Sequence, residues 1–195
     1  MGEATEIPLF PLHTVLFPGG PLTLRLFEAR YLDMISRSLR DESGFGVALI
    51  RQGGEVGEAA ETHDIGTLAR ITYWERRPDG LLGITVRGER RFRIHSTRVM
   101  PDRLIMAEVS YLSECESGPL PSRFAPLSEL LQEIFEQLDH PYITLPRQFG
   151  DAVWVAGRLA EILPLPLSRK QRLLESGDVY WCLSKIQNAI ASGSY

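Results

Sequence analysis

Side chains that could act as nucleophiles, bases or metal ligands are few in this chain of 195 residues, and they are far apart. None of the histidines lies at the i, i+4 spacing that a helical zinc site requires; they are His13, His63, His95 and His140. Ser168 and Lys170 could suggest a nucleophile and its base, but residues two apart on a helix do not face each other. We therefore expect Ser168 to cap a helix and Lys170 to lie on a solvated face.

Other enzyme motifs are also missing from the sequence. His63-Asp64 could do acid–base chemistry, but without a nucleophile motif such as G-x-S-x-G a polar turn before a strand is the better interpretation. Neither lysine follows the glycine pattern of a nucleotide-binding G-x-x-x-x-G-K-[ST] loop. The glycines at 53–57 lack the helix that would complete a phosphate cradle. We therefore predict a protein that is not an enzyme, with no catalytic residue, no metal and no cofactor.

Composition places the chain among ordinary globular proteins. It is 44% hydrophobic and 24% charged, with a net charge of −4, so it has no overall attraction to nucleic acid or anionic membranes. The first residues lack the features of a secretory signal, and no apolar run is long enough to span a bilayer. Cys115 and Cys182 are then expected to be reduced thiols. The sequence predicts a cytoplasmic protein that does not contact membranes.

The stretch from Ile7 to Tyr31 combines four prolines with closely spaced apolar residues. Proline fixes φ and lacks an amide proton, so this stretch cannot be one long helix or an uninterrupted central strand. Short extended pieces with a bend at Pro18-Gly19-Gly20 are expected instead. Because the apolar side chains still require burial, the sequence predicts that this segment wraps a β core.

The spacing of apolar residues changes near residue 115. From Pro8 to Leu112 the period is mostly two, as in strands, with a bend expected at Arg87-Gly88-Glu89. One helix is expected at 28–40, with Leu39 among its core-facing residues. We therefore predict an α+β chain: a β domain at 1–113, a polar linker at 114–122 and a helical bundle at 123–195.

Four helices are predicted in the second part, because apolar residues there recur at steps of three and four. Their expected ranges are 123–138, 151–163, 168–175 and 179–190. Ser168 and Asp178 are the expected N-caps of the last two helices.

Four blocks of the sequence, in order, resemble the substrate-recognition domain at the N-terminus of Lon-type ATP-dependent proteases. The first is the proline-rich opening that ends in Phe27-Glu28-Ala29-Arg30-Tyr31, which stand-alone bacterial relatives share. The others are residues 65–71, 86–94, and 159–166 followed by 171–175. The resemblance covers nearly the whole chain, and it implies a PUA-like β pseudobarrel with one inserted helix, followed by helices.

The resemblance also implies a function in proteolysis, as a module that binds unfolded or degron-bearing polypeptides through exposed apolar surface. Lon's ATPase and protease parts are not matched, so the chain is expected to bind without cutting, or to deliver clients to a separate ATP-dependent protease. An extended peptide could pair with an open barrel edge. The candidate contacts are aromatic: Phe17, Phe27, Tyr31, Tyr73 and Trp74. Core burial is the competing interpretation for each, above all for Phe27 at a strand end.

An alternative is RNA or nucleotide binding, because PUA-like barrels also serve there. Residues 70–103 carry nine arginines against four acidic residues. Arginine guanidinium groups at one turn could hold phosphate; the candidates are Arg87, Arg90, Arg91 and Arg93. The acidic total and the lack of an aromatic stacking triplet make nucleic acid the less favoured partner.

Overall fold

The computed structural model describes residues 4–193. They separate into two compact units, and the boundary falls between Leu112 and Ser113. The first unit is mainly β and the second is helical, so the fold is α+β. Within the described range, no helix has both the length and the apolar character needed to cross a bilayer.

The first unit contains seven strands and one α-helix within the described residues. The strands are β1 (Thr5–Leu12), β2 (Pro21–Leu26), β3 (Phe45–Gln52), β4 (Glu61–Thr62), β5 (Ile65–Arg76), β6 (Leu82–Val99) and β7 (Ile105–Tyr111), and the helix is α1 (Ala29–Arg40). Five of these strands pair in a circuit: β1 with β7, β7 with β6, β6 with β5, β5 with β3, and β3 with β1. The short strand β4 pairs with β3, and β2 pairs with β6.

Strand β1 shows how two prolines fit into this circuit. Its first half pairs with β7 up to Leu9, and its second half pairs with β3 from Leu9 onward. Pro8 and Pro11 therefore each lie where the register gives β1 a neighbour on one side only. Because such a position needs ladder hydrogen bonds on one side only, a missing amide proton is tolerated there. The prolines do not divide this segment into separate pieces; they coincide with its change of partner.

Strand β6 runs without a break through Gly88, where a bend was expected. Its pairing with β5 is irregular there, and the Pro18-Gly19-Gly20 bend packs against it. Gly88 N donates to Gly20 O at 2.8 Å, and Gly19 N donates to Gly88 O at 2.7 Å. A Cβ on Gly88 would lie 2.2 Å from the carbonyl oxygen of Phe17. The close approach of two backbones therefore requires glycine at this position.

Helix α1 packs its apolar face against the sheet, in one hydrophobic cluster with β2 and β6. Glu28 occupies its N-cap position and pairs with Arg30, whose Nη2 lies 2.9 Å from Glu28 Oε2. The Tyr31 ring stacks on Phe10 with ring centroids 4.0 Å apart. Leu39 was expected on the buried face, but it lies in the last turn and is exposed.

The second unit contains four described α-helices. They are α2 (Ala125–Phe135), α3 (Ala152–Ile162), α4 (Leu167–Glu175) and α5 (Val179–Ala191), with 3₁₀ turns at Ser122–Phe124 and Tyr142–Thr144. Helix α3 contacts α2, α4 and α5. Its Arg158 is buried and forms a two-pronged ion pair with Glu161, with both N–O distances 2.8 Å.

The polar segment expected to be a linker is part of the second unit. Pro119 forms a β-bridge with Asp151, and Leu120 N donates to Gly150 O at 2.8 Å. Ala152 N donates to Gly118 O at 2.9 Å. These bonds satisfy backbone groups of residues 118–120 within the second unit, and the first unit ends at Leu112, one residue earlier than expected.

Of the two residues expected to be N-caps, Asp178 is one and Ser168 is not. Asp178 caps α5, and its Oδ1 accepts from Tyr180 N at 2.9 Å and Trp181 N at 3.0 Å. Helix α4 begins one residue earlier than expected, so Pro166 holds its N-cap position and Ser168 lies inside the first turn. Lys170 is not on a solvated face: its Nζ donates to Glu161 O at 2.6 Å, and burial lowers the pKa of its ammonium group.

Candidate functional site

The five aromatic candidates divide by burial. Phe17 and Tyr31 are each 5% exposed and belong to the core, so their rings are not available to a ligand at the surface. Phe27, expected to be the most buried, is 58% exposed. The reason is strand alternation: Leu26 occupies the core-facing position at the end of β2, so the next side chain points away.

Tyr73 and Trp74 are 57% and 60% exposed, but they do not form one patch. They are consecutive residues of β5, and consecutive side chains of a strand point to opposite faces. Tyr73 shares its face with Glu75, to which its hydroxyl donates at 3.3 Å. Trp74 pairs in register with Ile84, a core residue of β6, and therefore lies on the face that continues into the core.

One edge of β5 is open next to Trp74. Strand β3 pairs with β5 only at Thr67–Ala69, and beyond that point the described residues place no strand along this edge of residues 71–76. Pairing with β3 begins only at Phe45, and the turn before β3 is held to the base of this edge by Arg70, whose Nη1 donates to Glu42 O at 2.7 Å. The backbone of 71–76 thus pairs with β6 on one side and offers its other side for pairing.

A hollow of about 280 Å³ adjoins this edge. It is lined by the end of α1, the turn that follows and the start of the open edge, namely Ser38, Leu39, Glu42, Ser43, Arg70 and Ile71. Ile71 pairs with core residue Val86 as Trp74 pairs with Ile84, and the register shifts between Ile71 and Tyr73, so Ile71 and Trp74 share one face of β5 although they are three residues apart. Leu39, Ile71 and Trp74 therefore give apolar contacts beside an open strand edge.

Charge around the hollow is fixed by an ion pair. Arg70 Nε lies 2.6 Å from Glu89 Oε1, and this hydrogen-bonded carboxylate raises the pKa of the Arg70 guanidinium. The same guanidinium holds the carbonyl of Glu42, as above. Arg70 therefore acts as a positioning residue that joins the α1–β3 turn to the base of the open edge.

The arginine candidates do not converge on one point. They lie along the continuous strand β6 rather than at a turn. Arg87, Arg90 and Arg93 are exposed, whereas Arg91 is buried. The Arg90 guanidinium stacks over the Tyr111 ring at 4.4 Å from its centroid. Because consecutive side chains alternate between faces, Arg90 and Arg91 point to opposite faces, and Arg91 is buried, so the four guanidinium groups do not form one exposed cluster.

Potential metal and redox groups are equally dispersed. Within residues 4–193, no three His, Cys, Asp or Glu side chains are placed to hold one metal ion. His95 Nε2 lies 2.8 Å from Ser110 Oγ, as part of a polar strand surface. Cys115 and Cys182 are both thiols.

The open edge and its hollow are the features that sequence reasoning missed. Leu39 and Ile71 are separated in the chain by β3, β4 and the first half of β5, and Leu39 was assigned to the core. The available signal was the change of composition after Arg70, because Thr72, Glu75 and Arg76 leave neither face of residues 72–76 continuously apolar, and the structure exposes both faces there. A strand exposed on both faces is typical of an edge rather than of a core strand.

The sequence and the structure of this chain were both compared with those of known proteins. Residues 6–191 match the model described as the ATP-dependent protease La (LON) substrate-binding domain. The crystal structure of a Lon N-terminal domain protein from Xanthomonas campestris superimposes with a TM-score of 0.79 and 34% identity, covering 94% of this chain and 98% of that one. The N-terminal domain of Mycobacterium avium complex Lon protease has the same fold, with a TM-score of 0.65, 21% identity, and coverage of 94% and 97%.

Full-length relatives align over a limited part of their own length. Lon protease of Anaeromyxobacter dehalogenans is 25% identical over 89% of this chain, which is 21% of that protein. Lon protease 2 of Myxococcus xanthus is 26% identical over 89% of this chain and 22% of its own length. The chain thus spans about one fifth of the length of these curated relatives. On the match over residues 6–191, this chain belongs to the family of ATP-dependent protease La (Lon) substrate-binding domains.

Proposed function

We propose that this protein is a non-catalytic polypeptide-recognition module, and that it binds an extended segment of its client along the open edge of β5. Membership of a substrate-binding family supports recognition of polypeptide. The closed circuit of five strands supports a PUA-like pseudobarrel as the scaffold, and the contacts of α3 with α2, α4 and α5 support a helical bundle after it. The observation that carries the choice of site is the unpaired edge at 71–76 beside the hollow.

Strand addition explains how one site could accept many sequences. Backbone hydrogen bonds to β5 are the same for any client, so they give affinity without reading side chains. Alternate client side chains would point toward the face formed by Leu39, Ile71 and Trp74. An apolar side chain there would be removed from water, which favours unfolded chains because folded proteins bury such groups. Cleavage is then the task of a separate ATP-dependent protease, to which the captured client would be passed.

The opposite faces of β5 provide a matched pair of variants. We expect Trp74→Ala to weaken binding of a permanently unfolded, fluorescently labelled, carboxymethylated protein by about tenfold, since it removes an exposed aromatic anchor. Tyr73→Ala removes an equally exposed ring from the other face and should change affinity by less than about twofold. Fluorescence anisotropy with RNase-treated protein measures both. If both variants lost the same affinity, or if a folded Trp74→Ala protein lost none, the client would not bind on the Trp74 face of β5.

The backbone contribution is tested from the ligand side. A short apolar peptide that binds the protein should lose binding when every second amide is N-methylated, because a methylated amide cannot pair with an edge strand. The control peptide carries its N-methyl groups on the other set of alternate amides, which point away from β5. Equal affinity of all three peptides would exclude strand addition. Displacement of the unfolded probe by RNA, with steep dependence on salt, would instead favour a nucleic-acid ligand.

A further inference from the structure

A groove between the last two helices is separate from the β5 edge and lies wholly within the second unit. Its volume is about 390 Å³. Helix α4 contributes Arg169, Arg172 and Leu173, and the segment before it contributes Leu165. Helix α5 and its C-cap contribute residues of one helical face: Trp181, Lys185, Ile186, Asn188, Ala189 and Ser192. At 1.5 Å per residue, the stretch from Trp181 to Ser192 is about 16 Å long.

The groove has an apolar floor and an aromatic end. Leu165, Leu173, Ile186 and Ala189 are buried. Trp181 is 38% exposed and lies in the first turn of α5. Its indole therefore offers a large apolar surface at one end of the groove, next to side chains that already exclude water.

The charge of the groove lining is opposite to the net charge of the second unit. Residues 113–195 contain seven Lys and Arg against ten Asp and Glu. Three of those seven cations line the groove, whereas no Asp or Glu within the described range does. Arg172 and Lys185 are exposed and come from different helices, so they flank the groove from both sides. The Lys185 ammonium lies 5.5 Å from the centroid of the Trp181 ring.

We propose that this groove binds an amphipathic helical segment of a partner protein, with apolar anchors on one face and acidic residues flanking them. A groove about 16 Å long accommodates roughly three helical turns. Apolar anchors of the segment would contact Trp181 and the floor, while its carboxylates pair with Arg172 and Lys185. A phosphate ion alone would satisfy the cations but leave the indole and the floor uncovered. The combined apolar and cationic lining therefore favours an acidic peptide over a small anion.

The test uses the whole protein and a designed, labelled peptide of twelve residues. The peptide carries Leu and Phe at helical i, i+3, i+4, i+7 spacing and Glu at the flanking positions. One control peptide has Lys in place of Glu, and a second has the same composition in scrambled order. Anisotropy measures binding to wild type, Trp181→Ala, Arg172→Glu/Lys185→Glu, and Arg93→Glu/Arg147→Glu. The last variant makes the same change in total charge at exposed arginines outside the groove.

We expect saturable binding of the acidic amphipathic peptide, weakened at least about tenfold by Arg172→Glu/Lys185→Glu and by Trp181→Ala. The charge-matched control variant should bind within about twofold of wild type, and both control peptides should bind much more weakly. Circular dichroism verifies that each variant is folded. Absence of binding, equal binding of the scrambled peptide, or an unchanged affinity in the folded groove variant would overturn the proposal. Full displacement of the peptide by inorganic phosphate at physiological concentration would also overturn it, by showing a small-anion site.

Discussion

At the scale of single residues, this fold depends on a few positions where one side chain decides the local geometry. Gly88 is the clearest, because the carbonyl of Phe17 occupies the space a Cβ would need. Tyr31 is another: it stacks on Phe10 inside the core, and burial raises the pKa of its phenol to about 12. These contacts join the proline-rich opening segment to the sheet and to α1.

Replacing Gly88 with alanine should lower the free energy of unfolding by about 1–3 kcal/mol, since the clash is with backbone that cannot rotate away. Gly54→Ala is the matched control, because its Cβ would meet its nearest atom at 3.7 Å, an ordinary contact. Urea denaturation of both variants measures the difference. Equal stability of the two would show that the opening segment can shift away from β6.

The buried phenol of Tyr31 predicts a pH dependence in the alkaline range. Well below pH 10, Tyr31 is protonated in both folded and unfolded chains, so it contributes no pH dependence there. Above pH 10 the unfolded chain loses this proton first, so the free energy of unfolding falls as pH rises toward about 12. The two-unit pKa difference limits this loss to about 3 kcal/mol.

Tyr31→Phe should reduce the slope of stability against pH between 10 and 12 while keeping the ring stacked on Phe10. Urea denaturation at pH 9, 10 and 11 measures the slope. Other titrating groups, including Lys170, act in both proteins and cancel in the comparison. Identical slopes in the two proteins would contradict the burial of this hydroxyl.

At the scale of elements, helix starts show how local signals compete. Asp178 and Ser168 are both residue types that favour N-caps. The chain begins α4 at Leu167, directly after Pro166, where the fixed φ of proline sets the entry to the helix. Ser168 then falls inside the first turn, whereas Asp178 remains outside α5 and accepts two amide protons.

This difference gives a paired prediction. Asp178→Ala should lower the free energy of unfolding by about 1 kcal/mol, because two amides at the start of α5 lose their acceptor. Ser168→Ala should stay within about 0.5 kcal/mol of wild type, since its side chain caps nothing. Thermal denaturation followed by circular dichroism at 222 nm measures both. A larger effect at Ser168 than at Asp178 would reverse the assignment of caps.

At the scale of the whole molecule, the chain divides into two compact units. Among the described residues, the strand circuit includes β7, and two hydrophobic clusters of the first unit draw only on residues between Ile7 and Tyr111. The proposed client edge lies in this unit, and the proposed acidic-peptide groove lies in the other. The two proposals can therefore be separated by cutting the chain.

A chain ending at Leu112 should fold on its own, because every partner in the strand circuit is present. We expect strand-type circular dichroism and cooperative urea unfolding. This shortened chain should keep its binding of the unfolded probe and lose its binding of the acidic amphipathic peptide. Cooperative folding combined with loss of the unfolded probe would place client capture outside the β unit; an unfolded product would show that the first unit needs the second.

The sequence by itself determined most of the elements and their order, because periodicity, proline and capping act over a few neighbouring residues. It predicted the α+β class and the helix after Glu28, and the family comparison confirmed the Lon resemblance. Only the tertiary structure decided which aromatic rings are exposed and where an edge stays unpaired. Those features depend on residues far apart in the chain, such as Leu39 and Ile71 at the hollow, or Arg172 and Lys185 at the groove. The burial of a side chain depends on how the chain packs and not on residue type alone. Phe27 is apolar, yet it is exposed because Leu26 takes the core-facing position at the end of β2.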